Sequence, residues 1–158
     1  MMKKYLFIAL CLSILFCTGC SKKTAVTTAY KTYDTECLGT DPSGAQILRV
    51  WGSGKDYNQA VENAGKKAVE EVTFNHITNG AGDCNAWPVI DSPVARRNNS
   101  EYFAKFFKHK GNYRKYITTE KPDKDKAMIG NDRVVVPVIV TVNRESLRQK
   151  FVKDKIID

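Results

Sequence analysis

Histidine is close to absent from this chain of 158 residues, which holds only His76 and His109. Neither is arranged with a serine or cysteine as a base with its nucleophile would be. His109 also sits between Lys108 and Lys110, whose charges disfavour its protonation and repel a metal ion. Beyond Cys17-Thr18-Gly19-Cys20 near the N-terminus, Cys-x-x-Cys spacing is missing too, so a four-ligand zinc site would have to join both histidines to the distant Cys37 and Cys84. The acidic residues do not converge. Glu70 and Glu71 are adjacent and diverge on a helix, and Asp123 and Asp125 alternate with lysines, which leaves no acid and base for glycan cleavage. Gly52-Ser53-Gly54-Lys55 lacks the four-residue spacer of a phosphate-binding loop, and Asp56 stands where its hydroxyl residue would be. The expectation is a chain without enzymatic activity, with no catalytic residue, no metal and no cofactor.

Negative charge is scarce as well, since 17 Asp and Glu oppose 25 Lys and Arg for a formal net charge of +8. Such an excess favours acidic surfaces: anionic lipid headgroups, wall polymers or an acidic protein. The apolar run from Tyr5 to Phe16 is about a dozen residues, short for a bilayer span and within the range of an export signal. Lys3 and Lys4 give it a positive start. Small Thr18 and Gly19 precede Cys20, whose thiol can carry a diacylglycerol, and Cys17 occupies the lipobox position where leucine is commonest.

Residues 1–19 are therefore expected to be a lipoprotein signal peptide and Cys20 the lipidation site. An ordinary cleaved secretory signal, or an uncleaved anchor, is the competing reading. Each buried methylene contributes about 0.8 kcal/mol and stable attachment needs more than one chain, so a triacylated Cys20 would hold the protein almost permanently. Ser21 rather than Asp follows it, which favours the outer membrane, and Lys22 and Lys23 replace any acidic surface-export tag, which favours the periplasmic side. An exported chain does not meet nucleic acid.

Cysteine usage agrees with export. With Cys11 and Cys17 in the signal and Cys20 acylated, Cys37 and Cys84 remain, and in an oxidising compartment an even pair is most simply one disulfide. Closing a loop of about fifty residues would stabilise by about 4 kcal/mol in the chain-entropy account. Two free buried thiols, or a metal or redox site, are the other readings.

Beyond a lipidated tether at 20–28, residues 29–158 are of single-domain length. Residues 29–38 and 47–52 read as strands joined by the turn Gly39-Thr40-Asp41-Pro42-Ser43-Gly44, which makes an antiparallel hairpin. Between Asp56 and Ile77 the residues Tyr57, Val61, Ala64, Ala68 and Val72 recur at helical steps, with Asp56 and Gln59 as a capping box. Ala60, Ala64, Gly65 and Ala68 keep the buried side thin enough for close packing on a sheet. Residues 78–99 read as a long loop, unusual unless tied down or functional, and the disulfide would tie it. Ser100 is expected to cap a short helix that Gly111 ends, and 113–119 to form a third strand. Arg133–Val142 is the strongest strand, with Pro137 arguing for an edge or a bulge, and a last helix from Arg144 to Lys155 turns Leu147, Phe151 and Val152 inward. The expected class is α+β: a small antiparallel or mixed sheet of about four strands with helices mainly on one face.

Arg49-Val50-Trp51-Gly52-Ser53-Gly54-Lys55 and the Ala-rich helix Gln59–Val69 resemble the strand-then-helix core of the flagellar-assembly lipoprotein superfamily. The layout from Glu36-Cys37-Leu38-Gly39 through Phe103-Ala104-Lys105-Phe106-Phe107 to Val142-Asn143-Arg144 is more similar to uncharacterised lipoproteins of anaerobic Gram-negative bacteria. The resemblance implies a small α+β domain used as a non-catalytic part of envelope assemblies. It supplies no catalytic residues. The long loop around Cys84 and the aromatic second helix depart from the flagellar pattern.

One cluster invites a contact function. Tyr102, Phe103, Phe106, Phe107, Tyr113 and Tyr116 are interleaved with Lys105, Lys108, Lys110, Arg114 and Lys115, a pattern that serves either as core framed by cations or as a basic aromatic surface. Trp87, Lys105, Lys108, Lys110 and Arg114 are the candidate partner-binding residues. The functional expectation is an outer-membrane-anchored, periplasm-facing lipoprotein that binds or assembles an envelope protein or wall polymer. A structural accessory of a secretion machine, or an envelope hydrolase with a deep polar pocket, is the alternative.

Overall fold

A computed structural model describes residues 35–120, 127–130 and 132–158. The expected signal peptide, Cys20, the tether and the start of the first expected strand lie outside the described residues, as does most of the charged connection at 121–131. In chain order the elements are β1 (Glu36–Thr40), β2 (Gln46–Gly54), α1 (Tyr57–Phe74), α2 (Pro93–Asn98), α3 (Ser100–Phe106), a 3₁₀ turn (Asn112–Tyr116), β3 (Ile117–Thr119), β4 (Met128–Gly130), β5 (Arg133–Val142) and α4 (Arg144–Lys153).

The sheet has five strands, ordered β1-β2-β5-β3, with β4 also on β5. Every pairing is antiparallel. Because β2 takes one edge of β5 along most of its length, β3 and β4 share the other, one at each end. This is the expected α+β class, with short β4 as the additional strand.

Alternation makes one face of the sheet apolar, and Leu48, Val50, Val136, Val138, Val140 and Val142 on that face are fully buried. Each such side chain stabilises the fold by about 1.5–3 kcal/mol relative to exposure. Helix α1 lies on this face through Ala60, Ala64, Ala68, Val69 and Val72, in one cluster with Phe103, Phe106, Tyr113, Leu147 and Phe151. The thin Ala-rich stripe has a counterpart in the strand. A Cβ at Gly52 would run into the Ala60 carbonyl oxygen and lie 2.7 Å from the Ala64 Cβ, so helix and strand meet almost backbone to backbone.

At the start of α1, Asp56 Oδ1 accepts the Gln59 N–H at 2.9 Å. The Gln59 side chain reaches back one residue further than in a standard capping box, accepting the Lys55 N–H at 2.6 Å. Gly52-Ser53-Gly54-Lys55 is thus the end of a strand and a turn into a helix.

Pro137 departs from expectation, for it lies in β5, the strand with neighbours on both edges, opposite Trp51. The carbonyl of Ile139 accepts from Glu120 and the N–H of Asn143 donates to Tyr116, so odd-numbered residues of β5 direct their backbone groups toward β3. Pro137 faces the same way, in the gap that neither β3 nor β4 pairs, and its missing N–H costs no ladder bond.

Other corrections are local. Residues 93–98 form a helix rather than loop, with Ser92 accepting the Ala95 N–H at 3.2 Å and Pro93 in the first turn. Ser100 is the first residue of α3; the cap position is Asn99, which makes no side-chain cap hydrogen bond, and Phe107 is the C-terminal cap. Residues 113–116 belong to the 3₁₀ turn, leaving β3 only Ile117–Thr119. Leu147 and Phe151 are buried as expected, whereas Val152 is 38% exposed.

Candidate functional site

The segment from Thr78 to Ile90 is long but firmly attached. Cys37 and Cys84 form a disulfide with their Cα atoms 6.3 Å apart. Around the bridge, the Cys37 N–H donates to Asn79 at 2.9 Å and the Ala81 N–H donates to the Cys37 carbonyl at 2.8 Å, a short parallel bridge that covers the outer edge of β1. Asp83 accepts from the backbone and hydroxyl of Thr40. Further along, the buried Gln46 side chain donates to the Asn85 carbonyl at 2.9 Å and Arg144 to the Pro88 carbonyl at 3.4 Å. Burial pulls the Arg144 guanidinium below its usual pKa. The Val89 and Ile90 N–H groups close the strap on the last turn of α1.

Cys37, Cys84 and Asp83 bring two sulfurs and a carboxylate oxygen within 4.8 Å of one another. The sulfurs are spent on the disulfide, and a metal would need them as thiolates. The grouping therefore acts as a clasp for the strap.

The aromatic cluster divides. Phe103, Phe106, Phe107 and Tyr113 are buried, packed edge-on or stacked against Phe74, Phe151 and one another. Lys105, Lys108, Lys110 and Arg114 are exposed, and none has an ion-pair partner among the described residues. Within α3, Phe103 and Phe106 inward with Lys105 outward is what a helix with a narrow apolar face produces.

Glu62 on α1 holds this basic turn. Its Oε1 accepts the Lys110 N–H at 3.0 Å and the Tyr113 hydroxyl at 3.4 Å, and lies 3.0 Å from His109 Nδ1. Lys110 adopts a positive φ of 54°, and Gly111 permits close approach, since a Cβ there would meet the Phe106 carbonyl. The turn is thus fixed with its ammonium groups pointing to water. Glu62 has no local sequence signal for this role, because the residues it holds lie about fifty positions away.

Tyrosines next to the turn are tuned by the same packing. Burial, reinforced by Glu62, pushes the Tyr113 hydroxyl up to about 12. Burial also raises Tyr102, whose hydroxyl donates to Asp154 at 2.6 Å. Asp154 is held low by hydrogen bonds from Lys150 and Tyr102, which joins α3 to α4.

Trp87 is held by a different set of neighbours. It is 63% exposed and meets His76 edge-on at 4.7 Å, and His76 Nε2 lies 3.6 Å from Asp91. Of the expected contact residues, Lys108, Lys110 and Arg114 lie on or beside the turn that Glu62 holds, Lys105 lies on α3, and Trp87 lies on the strap. Among the described residues, no helix is long and apolar enough to cross a membrane. Comparison with protein families, curated proteins and solved structures gives no match for this chain.

Proposed function

We propose that this chain is an outer-membrane lipoprotein, anchored through Cys20 and facing the periplasm, whose domain is a non-catalytic binding or assembly module of the envelope. The reading is carried by the basic turn: exposed cations without ion-pair partners among the described residues, on a backbone that Glu62 fixes from another element. Ordering a flexible cationic loop on binding costs about 0.5–1.5 kcal/mol for each immobilised long side chain, and a turn whose backbone is already fixed avoids part of that cost. The partner is acidic, an envelope protein or a wall polymer. The lipid adds effective concentration by confining the domain to a surface. The resemblance to envelope lipoproteins supports the same role.

Crosslinking in intact cells, followed by identification of what is captured, tests this function. Replacing Lys108→Glu, Lys110→Glu and Arg114→Glu together is expected to abolish capture while the fold persists. Capture undiminished by the triple replacement would remove the turn from the contact.

A further inference from the structure

Trp87 is the most exposed large hydrophobic residue among those described, and the strap's backbone is fixed on both sides of it. The Ile77 N–H donates to the Ala86 carbonyl at 3.0 Å and the Trp87 N–H to Asn85 Oδ1 at 3.1 Å, between the points where Gln46 and Arg144 hold Asn85 and Pro88. The indole is thus carried outward on a rigid support. A single exposed apolar residue calls for no partner, but a second is close by in the fold. Val94, 52% exposed, lies on α2, a helix with no buried residue. Arg96 of α2 sits 4.2 Å over the ring of Phe74, the last residue of α1, and His76 two positions later meets the Trp87 ring. Trp87 and α2 therefore share the C-terminal end of α1.

That end carries cations as well as apolar area. Arg96 and Arg97 are exposed and have no ion pair among the described residues. Two carboxylates at the same end are engaged, Asp91 with His76 at 3.6 Å and Glu71 with the Asn75 amide at 3.0 Å. An indole beside guanidinium groups suits a lipid headgroup layer, where the ring is buried, its N–H stays wet and the cations meet phosphates.

The point where the chain enters the domain favours a bilayer over a protein. Thr35 lines one depression with His76, so the N-terminal segment joins the domain at the end of α1 that carries Trp87. Fourteen residues separate Thr35 from Cys20, at most about 50 Å of fully extended chain. A lipid on Cys20 thus draws this end toward the membrane before any other. Glu62, which holds the basic turn, lies about 18 Å back along α1.

We infer that Trp87 and the exposed side of α2 rest on the phospholipid bilayer, with the indole at headgroup depth and Arg97 on anionic phosphates, which holds the basic turn away from the membrane and toward its partner. The inference rests on the proposed anchor at Cys20. Its test uses the full protein extracted from membranes, its acylation checked by mass, in vesicles of phosphatidylethanolamine and phosphatidylglycerol. The chain has two tryptophans, so Trp87→Phe supplies the Trp51 background. Phospholipid brominated near the headgroup should quench the Trp87 emission several-fold, lipid brominated at the chain ends should quench it less, and aqueous iodide should reach it less than in detergent. Arg97→Glu, at an exposed position where the fold is not at stake, should reduce the bromolipid quenching several-fold. Acylated protein whose Trp87 meets iodide as freely in vesicles as in detergent overturns this inference and leaves the anchor standing. So does a Trp87 shielded from both quenchers, which would mean that a second copy of the chain covers it. A chain without acyl groups overturns the anchor and this contact together.

Discussion

The α1–β2 interface and the strap from Thr78 to Ile90 are held by opposite means. At the interface Asn63 donates to the Ser53 carbonyl, but most of the contact is backbone against methyl groups, and stability comes from how closely two regular elements approach. The strap has little regular structure and is held at separate points: a disulfide, Asp83 on Thr40, Gln46 on Asn85 and Arg144 on Pro88. A close-packed interface has no independent parts, because one added atom displaces the whole helix. A strap fastened at several points can lose one and keep the others. The first should fail as a unit and the second piecemeal, and substitutions can separate the two behaviours.

Gly52→Val should have the largest effect. Its side chain has no room beneath Ala60 and Ala64, and overpacking there should lower stability by about 3 kcal/mol or more, read from the urea midpoint at unchanged slope. Loss of protection throughout α1 and β2 would mark it as a failure of the whole unit. Removing the clasp with Cys37→Ala and Cys84→Ala should cost about 2 kcal/mol, at the lower end for a disulfide because the other fastenings remain. Amide exchange should accelerate at residues 79–86 while α1 stays protected; equal acceleration in α1 would show that the strap and the core are one unit.

Asp56→Ala deletes the helix cap and should cost about 1 kcal/mol. The smallest effect is on pH dependence. Tyr113 has an ordinary value of 10.0 and is pushed up to about 12 in the fold, so the unfolded chain releases this proton first. Its contribution is complete below pH 10 and declines as pH rises toward 12. A urea midpoint that falls across that window in the native chain, and less so in Tyr113→Phe, is the expected result.

The same contrast explains what could be read in the sequence. Helix α1 was legible because Tyr57, Val61, Ala64, Ala68 and Val72 repeat at helical steps, and β5 because its valines alternate. Both are local patterns whose period is set by the backbone. The disulfide followed from counting cysteines. Helix α2 was missed because its signal, Ser92 before Pro93, is two residues inside a polar stretch. The place of Pro137 in an interior strand depends on a gap between β3 and β4, and no local pattern records where two other strands stop. The turn from His109 to Tyr113 owes its shape to Glu62, about fifty residues earlier in the chain. The cations could be named from sequence, but not the carboxylate that positions them.

In the proposed role a lipid anchor would make a small basic domain an envelope component, and one mass measurement tests that anchor. The N-terminal peptide of the protein recovered from membranes should begin at Cys20 and carry the added mass of a thioether-linked diacylglycerol with an acylated amine. An N-terminal peptide that still begins at Met1, with the Cys20 thiol unmodified, would contradict the account.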